Sequence, residues 1–114
     1  MLFVYHNAYW GIRPDQYDTS YHSLLQTPPF PGYPSGHAMM CGGAAELYSY
    51  FFPADRVYFE KRAKDGAESR FQGGIHFRTD NEVALDLGKK VADMVIQRIR
   101  HDGADNALPL QSKR

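Results

Sequence analysis

The sequence predicts an all-α fold, a partial bundle of about three helices carrying a long, ordered, proline-rich loop. Three observations support that expectation. Ser35 is a good N-cap before a run closed by Pro53. Val83, Leu87, Val91, Val95 and Ile99 form a stripe near i,i+4 spacing. Prolines crowd the stretch from Gly11 to Pro34, which then cannot be a regular element. A length of 114 residues suits one domain with a modest core, expected to span residues 1–103 and to be followed by a flexible tail, 104–114.

In chain order, Phe3 to Tyr9 fits no clean period and reads equally as a strand or as the tail of a helix. Gly11 to Pro34 is expected to be an ordered loop, because Tyr17, Tyr21, Phe30 and Tyr33 favour packing over a linker; loops of this length are more often functional or disordered. The first helix is placed at Gly36 to Phe52. Its Gly42, Gly43, Ala44, Ala45 cluster costs up to about 1 kcal/mol per glycine in helicity but leaves a smooth face for a close neighbour. Asp55 is taken as the cap of a second helix, Arg56 to Arg70, with Phe59, Ala63, Ala67 and Arg70 on one side and Gly73 and Gly74 at its end. Thr79 with Glu82 reads as a capping box for a third helix, Asp80 to about Arg100, whose buried face is the Val83 to Ile99 stripe.

Hydrophobic residues make up 43% of the chain, too many for extended disorder. No apolar run approaches the roughly 18 residues of a membrane span, and Met1 to Tyr5 is too short for a signal peptide. Thirteen basic residues balance thirteen acidic ones, and they do not gather with an aromatic platform, so no nucleic-acid partner is expected. Cys41 is the sole cysteine, which excludes an internal disulfide and a zinc-like cluster. The cytoplasm is the default location, with export left open if a leader precedes the chain.

Three segments carry candidate chemistry. Pro34-Ser35-Gly36-His37 sets a hydroxyl, a glycine and an imidazole at a helix start, where exposed amides and the helix dipole favour an anion. The same residues also read as an ordinarily capped helix with a solvent-facing histidine. Ser69-Arg70, then His76 and Asp80, is the second segment. Arg70 offers a planar fork for oxyanion oxygens, and His76 is expected on an open turn, free of packing. Asp80 either accepts from the second ring nitrogen of His76 or simply favours the positive end of the third helix. Arg13-Pro14 is the third segment; alone it reads as a surface arginine.

Together the three segments resemble the superfamily of vanadium-dependent haloperoxidases, type 2 phosphatidic acid phosphatases and bacterial class A acid phosphatases. That superfamily carries a lysine, six spacers and Arg-Pro; then Pro-Ser-Gly-His; then Ser-Arg, five spacers, His, three spacers and Asp. Arg13-Pro14 is similar to the end of the first motif, Pro34 to His37 reproduces the second, and Ser69, Arg70, His76 and Asp80 reproduce the third. The stretches Thr27 to His37 and Gly73 to Asp80 look most like the haloperoxidase branch. Where the family has its lysine this chain has His6, whose charge requires protonation, so oxyanion affinity is expected to fall at high pH if His6 takes that place.

The resemblance implies a helical bundle with a metal-independent oxyanion site. Arg13, Arg70, Ser35, Gly36 and His6 would bind the oxyanion, and His37, His76 and Asp80 would be catalytic. As a phosphatase acting on phosphate monoesters without a cofactor, His76 would form a phosphohistidine while His37 protonates the leaving oxygen. As a haloperoxidase with vanadate as cofactor and peroxide and halide as substrates, His76 would ligate the vanadium. The family bundle has further helices before the first motif, so a truncated member is expected, with self-association as the alternative cover for the Gly42 to Ala45 face. Two rivals are a catalytically impaired fragment and a helical interaction module using that face and Tyr48, Tyr50, Phe51 and Phe52.

Overall fold

A computed structural model describes residues 2–106, and it is all-helical, with no strand among the described residues. The order is α1 (Leu2–Tyr9), the single turn α2 (Pro14–Tyr17), α3 (Gly36–Phe51), a 3-10 turn at Pro53–Asp55, α4 (Arg56–Gln72) and α5 (Arg78–Asp102). Four helices of two or more turns thus form a partial bundle. The N-terminal stretch resolves to a helix, which Trp10 closes in the left-handed region at φ 46°.

α3 and α5 run side by side in the same direction, as the pairings Gly42 with Leu85, Gly43 with Gly88 and Glu46 with Lys89 require. α4 returns antiparallel, placing Arg56 against Glu46 and Gly66 against Cys41. The central core is made of small side chains, Ala38, Ala67 and Ala84, with Met39 and Leu85 packed around them. Smallness sets the helix spacing here: a Cβ on Gly42 would overlap the Leu85 carbonyl, and one on Gly88 the Met39 carbonyl.

That packing corrects three expectations. Of the Gly42 to Ala45 face, Gly42 and Gly43 have their neighbour within the chain, since α5 packs on them, while Ala44 stays exposed. The buried face of α5 is Ala84, Gly88, Ala92 and Ile96 rather than the valine stripe, from which Val95 is 45% exposed. Close backbone approach selects small residues, and the branched side chains are left to the flanks. The third correction concerns the start of α5. Its N-cap is Phe77, which has no acceptor of its own, and the carboxylate of Asp80 accepts from the Phe77 amide at 2.9 Å. Thr79 therefore lies inside the first turn, and the expected box with Glu82 does not form.

The other ends follow local rules more closely. Ser35 caps α3, its hydroxyl oxygen accepting from the Ala38 amide at 3.3 Å. Asp55 occupies the N-cap position of α4 but makes no side-chain cap bond. Gly74 takes φ 78° after α4, and Gly103 takes φ 68° after α5, conformations that suit glycine. Beyond it, Asp105 accepts from the Tyr50 hydroxyl; residues 107–114 of the expected tail lie outside the described residues. No helix among the described residues is long and apolar enough to cross a membrane.

A candidate oxyanion site at one end of the bundle

The parallel course of α3 and α5 sets their N-termini side by side, and the C-terminal end of α4 arrives at the same end. The Ser35 amide donates to the Asp80 carbonyl at 3.0 Å, joining the two helix starts directly. Positive helix ends and the last turn of α4, with Arg70, are thereby concentrated in one place.

Arg13 reaches this end from the loop and is 1% exposed. Its Nε donates to Phe30 O at 3.0 Å, Nη2 to Pro31 O at 3.4 Å, and Nη1 to Ile75 O at 2.8 Å. The reading of Arg13 as a surface residue is overturned: a guanidinium with several donors is what the carbonyls of a proline-rich loop, lacking partners of their own, draw inward. Burial pulls its pKa below the ordinary arginine value, opposed by the charges of Asp80 and Asp15. The guanidinium also lies 5.1 Å from the centre of the Phe30 ring.

His76 is 6% exposed, so the expected open turn is instead a buried one. Its Nδ1–H donates to Asp80 Oδ2 at 3.2 Å, and its Nε2 accepts from Arg13 Nη1 at 3.2 Å. Asp80, 5% exposed, thus performs both alternatives considered for it, holding the imidazole and the start of α5 through the same oxygen. The tautomer follows from the partners: with Nδ1 bearing the proton, Nε2 carries the lone pair.

His37, on the exposed first turn of α3, faces the same space. Burial, then the charges of Arg70 and His76, hold its pKa below the ordinary histidine value. Both charges thus lie within electrostatic reach of His37. Arg70 is half-buried, its Nε donating to Ser69 Oγ at 3.1 Å. His6 differs from the rest: its Nε2–H donates to Pro34 O at 2.9 Å and its ring stacks on Phe30. The structure therefore brings together Arg13, Ser35, Gly36, His37, Arg70, His76 and Asp80, and sets His6 behind the Phe30 to Pro34 segment.

The residues that sequence reasoning missed are Phe30, Pro31 and Ile75, whose carbonyls seat Arg13, and Asn81, which is 4% exposed beside Asp80. Backbone acceptors carry no side-chain signal, so only the crowding of prolines hinted at them. Among the described residues there is no cluster of three or more His, Cys, Asp or Glu suited to a metal ion. The donor set is instead cationic groups, helix-start amides and one imidazole lone pair. Guanidinium forks and exposed amides are complementary to a tetrahedral oxyanion; here Arg13 Nη1 is engaged by Ile75 O and by the Nε2 lone pair of His76.

A family model described as the VCPO second helical-bundle domain, VCPO being vanadium chloroperoxidase, matches residues 7–68 and 57–102. The chain belongs to that haloperoxidase family. No curated protein matches it.

Proposed function

We propose that the chain supplies a vanadate-binding site of haloperoxidase type, with hydrogen peroxide and halide as substrates. The family match from residue 7 to residue 102 carries this choice over phosphate-ester hydrolysis, for which the same donors would serve. In this reading Arg13, Arg70 and the amide of Gly36 bind the oxyanion oxygens, and Ser35 donates its hydroxyl proton while its oxygen caps α3. Asp80 takes up Nδ1–H and fixes the tautomer, so His76 would present Nε2 as the ligand once Arg13 Nη1, which donates to it at 3.2 Å, turns to the oxyanion. His37, held toward its neutral form, is the group that takes a proton from the incoming peroxide. His6 acts at one remove, holding the Pro34 carbonyl ahead of Ser35. Bound vanadate would supply a Lewis-acidic centre that activates peroxide toward halide.

Titration with orthovanadate, followed by calorimetry or 51V NMR, tests the assignment. The unchanged chain is expected to bind and His76→Ala to lose binding; equal weak binding by the two would reject it. Bromide oxidation by peroxide, measured beside hydrolysis of a phosphate monoester, divides the two chemistries. Hydrolysis without bromide oxidation would restore the phosphatase reading with His76 as nucleophile.

A further inference from the structure

Gly73, Gly74, Ile75 and His76 are four consecutive buried residues in a helix–helix connection, whereas connections ordinarily run exposed over the surface. What covers them is the proline-rich loop. The Leu25 amide donates to Gly73 O at 3.1 Å, and a Cβ on Gly73 would stand 2.5 Å from Leu25 Cδ1. A Cβ on Gly74 would overlap the Tyr21 hydroxyl and lie 3.3 Å from Ser23 Cα. The two glycines are thus the seat on which Tyr21 and Leu25 rest. Arg13 holds Ile75 O as well, so the backbone leading into His76 is held at successive residues.

We propose that Tyr21 and Leu25 form a clamp that fixes the Gly73–His76 turn, making them positioning residues for the oxyanion site. The imidazole bonds Asp80 on α5 and Arg13 on the loop, both at 3.2 Å. A displacement of the turn by about 1 Å would break one of the two bonds. The clamp is lightly tethered to the rest of the molecule. Ser23 Oγ donates to Leu25 O at 2.6 Å, Thr27 Oγ1 to Asp15 Oδ2 at 2.5 Å, and Leu24 between them is 86% exposed. Truncating its side chains should therefore free the turn without unfolding the helices. The effect on anion affinity rests on the vanadate reading; the effect on the turn does not.

Hydrogen–deuterium exchange on the full chain reads the turn directly. In Tyr21→Ala and Leu25→Ala, amides 73–76 are expected to exchange about tenfold faster, with the α3 amides unchanged. Vanadate affinity should fall about five- to tenfold in the same variants, and Tyr21→Phe and Leu25→Met should restore both readouts. Unaltered exchange at 73–76 in both alanine variants would overturn the clamp. Faster exchange with undiminished vanadate affinity would overturn its positioning role. Failure of the unchanged chain to bind vanadate would instead sink the oxyanion reading, while exchange would still decide the clamp.

Discussion

Arg13 Nη1 donates to the carbonyl of Ile75 at 2.8 Å and to Nε2 of the next residue, His76, at 3.2 Å. One guanidinium thereby sets the backbone and the side chain of the same turn. In a buried setting such a fork cannot be replaced by a point charge of equal sign.

Arg13→Lys should accordingly behave as a severe change. An ammonium reaches at most part of the set formed by Phe30 O, Pro31 O, Ile75 O and His76 Nε2. Leaving buried acceptors unpaired is expected to cost about 2–4 kcal/mol, read as a lowered midpoint in urea unfolding. A midpoint within error of the unchanged chain would show that the carbonyls find other partners.

The imidazole of His37 should titrate below the ordinary histidine value, and Arg70→Met should move it upward, since burial and then the Arg70 charge are what depress it. NMR titration of the ring protons checks this. The linked effect on folding has a definite sign. A folded-state pKa below the unfolded one means the unfolded chain binds the extra proton first. The His37 contribution is therefore full above the unfolded value of about 6.5 and is lost as pH falls through the folded value. His37→Gln should flatten that part of the stability profile, and an unchanged profile would refute the depressed pKa.

Gly88→Ala and Gly43→Ala form a graded pair along the α3–α5 contact. The first sets a Cβ into the Met39 carbonyl, while the second meets Gly88 O at 3.2 Å. Alanine gains up to about 1 kcal/mol in helix propensity at either position. Overpacking at Gly88 should outweigh that by about 1–3 kcal/mol, whereas Gly43→Ala should stay within about 1 kcal/mol of neutral. Thermal unfolding of the two variants gives the order, and the reverse order would contradict the packing described.

Asn81 is 4% exposed, and neither Nδ2 nor Oδ1 has a partner among the described residues. Asn81→Leu is of similar size and removes the cost of burying an unpaired carboxamide, so stability should hold or rise by about 1 kcal/mol. A loss beyond about 2 kcal/mol would mean that the carboxamide is paired in solution.

What could be read from the sequence was what depends on neighbours along the chain. Ser35 announces a helix start through its own hydroxyl, and Pro53 ends the helix by its lack of a donor. His76 and Asp80 meet because the intervening residues turn into the first turn of α5. What escaped depends on distant partners. Phe77 rather than Thr79 begins α5 because Asp80 is already committed to the His76 turn. Ala84, Gly88 and Ala92 outrank the valines because α3 comes close enough to exclude branched side chains. The burial of Arg13 and His76 needs the loop to fold across the turn, and no local pattern encodes that.

All the polar machinery stands where α3 and α5 begin, whereas the link between α3 and α4, Phe52 to Asp55, lies at the opposite extremity, roughly 24 Å away along a 16-residue helix. A fluorophore, affinity handle or chain break introduced at Ala54 would sit outside the electrostatic reach of the anion donors, beyond the screening length of physiological salt. That link is the natural attachment point for reporting on the bundle while leaving its chemistry untouched.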